Sequence, residues 1–462
     1  MRFLFTLYIF LLPFFSSPYL SKVFGSWSIN YSLFPLVALG GMYFCRVWCT
    51  RQLPLPVQEI RRTMTVFATL QSYSVLVTFI ASFFLLLSDL QYHDAYRGPE
   101  WNCVKEIVRA VLTFSSYYLI LIQVRTEEDV WRVIRVIHLS LMVLIIYGYS
   151  QVISMVLPTS GLHSLLESVT PLIDQGWQGE GRLALYTNYF MRINLLTPES
   201  STAAQILEVY FLPLLLASIL SGLSVWDKRV FGFTIEMLLT FLTLPLIVAI
   251  FSSVGFFAAI IMLAVSTLFS LGNKKAFFIL SGSVVVSIGG AVLILIYLDL
   301  LDWAVFFLGK VFDSSNTSTN TRSALLNASF KLFLNCPWGV GTNNNNLLMI
   351  KFVPHWAQSN MEVLEAIAKE NLPTLNLWTE ILSSIGLVGL LLLIVFFVMI
   401  GLKNIKFGCS RINTFASYAF ILFALAVFMH GFHTSATTFL WLWSICGFYT
   451  TMGGLVSRRK VQ

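Results

Sequence analysis

The residues best suited to chemistry lie in a long polar stretch, residues 321–346, of a chain that is otherwise mostly apolar. The pattern predicts a helix that Asn320 or Thr321 caps, with Arg322 in its first turn and Lys331 on its polar face. Free N–H groups at a helix start and a guanidinium together suit a phosphate or pyrophosphate, because the Arg donors match phosphate oxygens in pairs. The stretch is therefore predicted to be an anion site.

A second polar segment precedes an apolar run. It carries Arg182 and Arg192, turns at Pro198 and presents Glu199. Residues 200–202, Ser-Ser-Thr, are predicted to cap the helix that follows. Arg192 and Glu199 are thus expected near a membrane surface.

Each of these residues also has an ordinary structural explanation. Arginines near a membrane surface usually act as interfacial anchors, and a carboxylate such as Glu199 is favoured at a helix start by the helix dipole. Glu208 and Glu236 lie inside apolar runs and are stronger individual signals, because an acid in hydrocarbon is costly and tends to be functional. A pair with Arg109 or with a backbone donor would explain them structurally.

The composition predicts the class of protein that must position these side chains. Of the 462 residues, 57% are hydrophobic and only 11% are charged, which is too little polar surface for a soluble fold of this size. The chain is predicted to be a single all-α polytopic domain, residues 1–462, in a membrane. Its first apolar run lacks a small-residue cleavage site and is expected to be a retained helix.

Apolar runs of about 18 to 25 residues, the length that crosses a bilayer, recur along the whole chain. About twelve transmembrane helices are predicted, near residues 3–18, 31–48, 64–88, 104–124, 133–157, 201–222, 230–250, 252–271, 276–298, 376–400, 412–432 and 436–456. The seventh and eighth predicted helices run together around residues 250–256. Lys and Arg concentrate in the short loops of one side, which predicts that both termini are cytoplasmic.

This topology gives the protein two larger outward loops, 158–200 between spans 5 and 6 and 299–375 between spans 9 and 10. Any chemistry is expected on this outer face. No inverted repeat of the kind found in many secondary transporters is evident, which counts against a transporter. The six cysteines lack metal-type spacing, so no metal site is expected.

The order of the motifs over roughly residues 180–400 resembles the O-antigen ligase/polymerase family of bacterial envelope glycosyltransferases. In that family an Arg and a Pro precede one span, and the larger loop carries an Arg, a helix and a Pro-x-Gly-x-Gly turn. An Asn then opens the next span, which contains Gly-Leu-hydrophobic-Gly. The matching residues here are Arg192, Pro198, Arg322, Pro337, Gly339, Gly341, Asn376, Gly386, Leu387 and Gly389.

The resemblance implies a GT-C-like membrane glycosyltransferase that uses no metal or other cofactor. Its substrates would be glycans on undecaprenyl diphosphate, polymerised into O-antigen, capsule or exopolysaccharide. Arg192 and Arg322 would clamp the diphosphate leaving group, and Glu199 is the candidate base. Substrate contacts are expected from Arg182, Lys331, Asn346 and Asn376.

Two departures from the family pattern bear on the reaction. Ligases of the family place a His directly before the Asn, where this chain has Leu375, and the Ser-Arg-Gly stretch is replaced by Ser-Ser-Val-Gly at 252–255. The first departure favours a polymerase of repeat units over a ligase that transfers glycan to lipid A core. A flippase for the same lipid is the third alternative.

The expected partners follow from the resemblance. They are the lipid-linked glycan donor and acceptor and the membrane lipid, with a chain-length regulator as a further candidate. The net charge of +7 lies mostly in short inner loops, which fits anionic lipid and not nucleic acid. The expected location is the bacterial cytoplasmic (inner) membrane.

Overall fold

A computed structural model describes residues 1–15, 30–52, 54–88, 98–157, 159–173, 193–197, 199–226, 228–250, 252–297, 317–406, 410–432 and 439–458. Apart from one hairpin of two short strands, β1 (Arg229–Val230) and β2 (Phe233–Thr234), its regular elements are helices. The first ten helices are α1 Arg2–Leu11, α2 Leu33–Thr50, α3 Gln58–Leu86, α4 Pro99–Gln123, α5 Glu127–Val156, α6 Gly161–Ile173, α7 Ser200–Ser221, α8 Ile235–Ala249, α9 Ser253–Ser270 and α10 Lys274–Tyr297.

The remaining helices build the second large loop and the end of the bundle. They are α11 Thr317–Asn335, α12 Asn344–Leu348, α13 Met361–Ala368, α14 Leu377–Asn404, α15 Arg411–Gly431 and α16 Leu440–Arg458, with two short 3₁₀ helices at Met349–Phe352 and His355–Ala357. Residues 206–211 of α7 form a π-helix.

Seven of the described helices are long and apolar enough to cross a membrane, namely α2, α3, α5, α7, α9, α14 and α15. Three shorter helices, α1, α8 and α16, are also apolar. A described helix overlaps each of the twelve predicted spans, but only these seven meet the length and apolarity of a span, so the count of twelve stays a prediction. The chain is an all-α protein with the helices of a membrane protein.

The main core holds α3, α4, α14 and α16 together through aromatic rings. Phe67 has no exposed surface, and its ring centroid lies 4.5 Å from that of Tyr117, 5.0 Å from Phe396 and 5.1 Å from Trp443. Aromatic pairs at such distances add to the gain from burial. This cluster holds together the helices that support the cap and line the buried charged cluster described below.

The two ends of the bundle differ. At the turn end, which holds Met1 and the short connections near residues 51–57, 124–126, 222–234 and 405–410, polar side chains close the turns. Glu236 lies here and accepts hydrogen bonds from the Val225 N–H at 2.6 Å and the Ser224 hydroxyl at 2.9 Å. This acid therefore pairs with a backbone donor, the structural alternative that its sequence left open.

At the loop end, residues 317–376 fold into a cap with a small apolar core of its own. That core consists of Ala324, Leu325, Ala328, Leu332, Val340, Met349, Val353, Ala357, Val363 and Leu372. The cap rests on α14, where the Ser329 hydroxyl donates to the Thr379 carbonyl at 2.9 Å.

The predicted start of the cap helix is wrong. Helix α11 begins at Thr317, so Asn320 and Thr321 lie within it and Arg322 is in its second turn, away from the free N–H groups of the start. Thr and Asn cost at most about 0.7 kcal/mol each in a helix relative to Ala, which packing of the apolar face against the cap core can override. The predicted anion site would therefore rest on the guanidinium and not on the helix start.

Candidate functional site at the loop end

The Pro-x-Gly-x-Gly turn of the cap and the glycine motif of α14 form one joint. Helix α14 is interrupted at Gly386, which has φ 69° and ψ −170°. The turn supplies partners for the interrupted backbone: Val340 N–H donates to the Ser383 carbonyl at 3.0 Å and Gly341 N–H to the Ser384 carbonyl at 2.8 Å. Backbone groups freed by a break in a membrane helix must be satisfied inside the protein.

Glycine is required on both sides of this joint. A Cβ at Gly339, where φ is 87°, would lie 2.4 Å from the Ser384 carbonyl oxygen. A Cβ at Gly386 would lie 2.4 Å from the Pro337 carbonyl oxygen. Both residues have a positive φ that side chains rarely tolerate. The joint thus fixes the height of the cap above the bundle.

Past the joint, the cap is tied to α3 and α4 by polar side chains. Thr342 N–H donates to the Thr78 hydroxyl at 2.9 Å. The Asn344 amide donates to the Ser82 hydroxyl at 3.0 Å and accepts from the Asn102 amide at 2.8 Å. The stretch "NNNN" at 343–346 is therefore in part an anchor for the cap.

Below the cap lies a buried charged cluster that the sequence did not identify. The Arg109 Nε donates to the Glu106 carboxylate at 2.7 Å, and an Arg109 terminal nitrogen donates to the Ser74 hydroxyl at 3.2 Å. Ser74 in turn donates to Glu106 at 2.5 Å. The carboxylate of Glu380, at the start of α14, interacts electrostatically with Arg109. The spacing of Glu106 and Arg109, which places both on one face of α4, was the available signal.

This cluster borders a cavity of ≈ 30 Å³, room for about one water. Its polar lining consists of Gln71, Ser74, Arg109, Thr342, Glu380 and Ser384. Gln71 is 6% exposed, and its Oε1 has no hydrogen-bond partner among the described residues. A buried amide oxygen without a partner costs free energy, so this position is suited to a donor from outside the chain.

Arg322 and Glu199, predicted to act together, are brought into the same environment. The carboxylates of Glu199 and Glu362 both interact electrostatically with the Arg322 guanidinium. Burial lowers the pKa of Arg322, and the two carboxylates oppose that shift. Thr321 donates to the Glu362 carboxylate at 2.8 Å.

Glu199 occupies the N-cap position of α7, and its side chain makes no capping bond. Residues 200–202 lie inside the first turn and do not cap it, contrary to the sequence prediction. Glu199 is exposed and accepts from the Ser201 hydroxyl at 3.1 Å. An exposed carboxylate that interacts electrostatically with a partly buried guanidinium can accept a proton from a substrate hydroxyl.

The other predicted residues fall into three groups. Arg182 and Arg192 lie outside the described residues, as does Pro198. Lys331 is exposed on the polar face of α11, as the helix pattern predicted. Asn346 and Asn376 lie in the cap and at the start of α14, respectively, and both bond to protein groups.

The bonds of the two asparagines are structural. The Asn346 amide donates to the Asn371 side chain at 3.1 Å. Asn376 caps α14, accepting from Thr379 N–H at 3.0 Å, and donates to the Phe432 carbonyl at 3.1 Å. Their roles as sugar contacts stay predictions.

A second buried pair consists of Glu208, which the sequence singled out, and His430, which it did not. Glu208 lies in the π-helix of α7, and its Oε2 is 2.6 Å from the Nε2 of His430 in the last turn of α15. Glu208 is 0% exposed and His430 is 1% exposed. The acid was singled out from sequence, but its partner is His430 and not Arg109. No group of three His, Cys, Asp or Glu side chains suited to a metal occurs in the described part of the chain.

In comparisons with known proteins, no family model matches the chain and no curated protein matches it significantly.

Proposed function

We propose that the protein is a membrane glycosyltransferase that polymerises undecaprenyl-diphosphate-linked oligosaccharide repeat units. The polymer would be an O-antigen, capsule or exopolysaccharide, made at the outer face of a bacterial cytoplasmic membrane. The observation that carries the proposal is the shared environment of Arg322 and Glu199 at the loop end. A guanidinium for the leaving group and a carboxylate for the acceptor are the two groups that such a transfer needs.

In the proposed reaction the acceptor is the non-reducing end of a single new unit. Its hydroxyl attacks the anomeric carbon of the donor chain, and the bond between that carbon and the diphosphate breaks. Glu199 takes the hydroxyl proton. Arg322, together with Arg192, stabilises the charge that develops on the departing undecaprenyl diphosphate. The leaving group is already a diphosphate, so these residues can carry the reaction without a metal.

The cap supports this arrangement by holding α11 in place. The joint at Gly339 and Gly386 has little freedom, because both glycines contact backbone directly. Catalytic groups must be held within a fraction of an ångström of the productive geometry. A rigid cap on the bundle is suited to that task.

The test is the glycan length profile of cells that lack the gene, complemented with the intact protein, with Arg322→Ala, with Arg192→Ala or with the control Lys351→Ala. Lys351 is an exposed cation of the cap outside the proposed site. We expect single-unit glycan in the null, and a ladder restored by the intact protein and by Lys351→Ala but not by the other two variants. Membrane insertion of each variant is checked by immunoblot of the membrane fraction.

Two other outcomes would overturn the proposal. Fully polymerised glycan that accumulates on its carrier in the null would identify a ligase, despite Leu375. Single units that accumulate on the cytoplasmic leaflet would identify a flippase.

A further inference from the structure

A second cavity lies at the turn end of the bundle, at the opposite end from the cap. Its volume is ≈ 700 Å³, and it is formed by the ends of α1, α2, α4 and α5 with the connection after α2. A volume of this size is typical of small-molecule sites. Nothing in the proposed glycosyl transfer uses it.

The cavity is strongly basic. Four arginines line it, namely Arg2, Arg46, Arg125 and Arg132, whereas Asp129 is the one acid among the described lining residues. Asp129 is occupied, because it accepts from the backbone N–H of Arg125 at 3.2 Å and from Arg132 at 3.2 Å. The lining therefore has an excess of positive charge.

Three of the arginines, namely Arg2 on α1, Arg46 on α2 and Arg125, make no ion pair with a carboxylate within the described chain. The Arg125 Nε already donates to the Ile122 carbonyl at 2.9 Å, which leaves Arg2 and Arg46 as the better candidates to bind a ligand. Arg132 differs, since it also reaches Glu128 at 3.3 Å. Two unpaired guanidinium groups from different helices, facing one cavity, are suited to the paired oxygens of a phosphate.

The cavity lining also contains neutral polar and apolar side chains. Neutral polar side chains, among them Thr6, Thr50 and Gln52, also line the cavity, and apolar side chains complete the lining: Phe5, Ile9, Leu55, Ile122, Val133 and Val136. A free inorganic anion would contact only the arginines and the other polar side chains. A phosphate that carries a hydrocarbon chain would contact the apolar side chains as well.

The position of the cavity favours a lipid. Helix α2, which contributes Tyr43, Arg46 and Thr50, is exposed over most of its length; Phe44 is 68% exposed and Trp48 is 77% exposed. In a helix apolar enough to cross a membrane, such side chains face lipid. The same helix thus presents an apolar surface to the bilayer and Arg46 to the cavity.

We propose that this cavity binds the phosphate headgroup of an anionic phospholipid, with Arg2 and Arg46 as the principal ligands. Basic pockets between membrane helices hold such headgroups by this chemistry. The proposal is independent of the proposed enzymatic activity.

The test uses purified full-length protein in neutral detergent and short-chain phosphatidylglycerol as the probe, with binding measured by calorimetry. The double variant Arg2→Gln/Arg46→Gln is compared with the matched double variant Arg229→Gln/Lys275→Gln. The control removes two exposed positive charges from the same end of the bundle that do not line the cavity. Thermal unfolding of each variant checks that it is folded.

We expect the first variant to bind phosphatidylglycerol at least about tenfold more weakly than the intact protein, because each lost charge-assisted hydrogen bond is substantial. The control is expected to bind as the intact protein does. Equal weakening in both variants would show general charge attraction and overturn the proposal, as would no weakening in either.

Two further probes separate the sources of the phosphate. Short-chain phosphatidylcholine, which carries a neutral headgroup, should bind far more weakly than phosphatidylglycerol. Inorganic phosphate alone should show weak binding that also depends on Arg2 and Arg46. If inorganic phosphate binds as tightly as phosphatidylglycerol, the lipid part of the proposal is wrong.

Discussion

The carbonyl of Pro337 accepts a hydrogen bond of 3.0 Å from the backbone N–H of Leu387, directly after Gly386 turns α14 out of helical geometry. The two residues belong to motifs 50 positions apart in the chain, one in the cap and one in a membrane helix. A helix broken in this way leaves N–H and C=O groups that need new partners. The cap supplies them, so the break and the turn depend on each other.

We predict that Gly386→Ala and Gly339→Ala each lower the stability of the protein. The added Cβ meets a backbone oxygen at 2.4 Å in both cases, and the positive φ is strained for alanine. Such strain costs about 1–3 kcal/mol before the clash is counted. Thermal unfolding in detergent, followed by circular dichroism, measures the change.

The matched control is Gly41→Ala on α2. A Cβ there meets nothing within 4 Å, and alanine is the better helix former. The melting temperature of this variant should stay the same or rise. If Gly386→Ala melts at the same temperature as the control, the joint does not hold the cap.

The joint between the cap and α14 separates what the sequence predicts from what it does not. The helices of the bundle were predictable, because apolar runs of bilayer length are local features that need no knowledge of packing. The turn at Pro337 and the motif at Gly386 were both visible as motifs, but their contact is tertiary. No rule of sequence spacing relates a glycine in a loop, such as Gly339, to a glycine in a helix, such as Gly386. The contact between these two motifs could therefore not be predicted.

For the candidate site, too, the sequence predicted individual residues but not all of their contacts. The family resemblance implied that Arg322 and Glu199 act in the same reaction, and the two side chains interact electrostatically, while their roles stay predictions. The start of α11 was missed because four weak helix formers, Thr-Ser-Thr-Asn at 317–320, join the helix. The sequence offered Arg109 as a partner for acids in other helices, whereas its partner in the structure is Glu106, one turn away on α4 itself.

The buried pair Glu106–Arg109 leads to a second prediction, which compares a single variant with a double variant. Arg109→Met should destabilise the protein by about 3–5 kcal/mol, because it leaves the Glu106 carboxylate buried without its cation. Glu106→Gln/Arg109→Met removes both charges and should recover much of that loss. Unfolding by denaturant in detergent measures the free energies.

Two comparisons separate the cost of the unpaired charge from other effects of the substitutions. Lys369→Met removes the cation of the exposed pair Lys369–Glu365 on the cap and should cause no measurable change. If the double variant is as unstable as Arg109→Met alone, the cost lies in lost packing of the Arg side chain and not in the unpaired charge.

The third prediction separates a structural from a sugar-binding role for Asn376. Asn376→Asp keeps an oxygen that can accept from Thr379 N–H but loses the donor to the Phe432 carbonyl. It should therefore lose less stability than Asn376→Ala, which loses both bonds at about 1 kcal/mol each. Thermal unfolding gives the order of the three proteins.

The glycan length profile completes that test. A purely structural Asn376 predicts that polymer yield falls in step with the amount of folded protein. Asn376→Asp with full stability and no polymer would instead indicate that the amide contacts the sugar.

The fourth prediction concerns the pair Glu208–His430, which links the π-helix of α7 to the end of α15. Glu208→Gln supplies an uncharged side chain of the same shape that can hydrogen bond to the imidazole, so it should retain most of the stability. His430→Phe removes that bond from a carboxyl that is 0% exposed and should cost at least about 1–3 kcal/mol. Unfolding in detergent compares the two single variants and the double variant.

The double variant Glu208→Gln/His430→Phe decides what the pair does. If the pair only ties α7 to α15, the amide variant should be as active as its folded amount allows, and the double variant should be little worse than His430→Phe. A folded Glu208→Gln that makes no polymer would contradict a purely structural role. The carboxyl itself would then be needed near the start of α7, where Glu199 also lies.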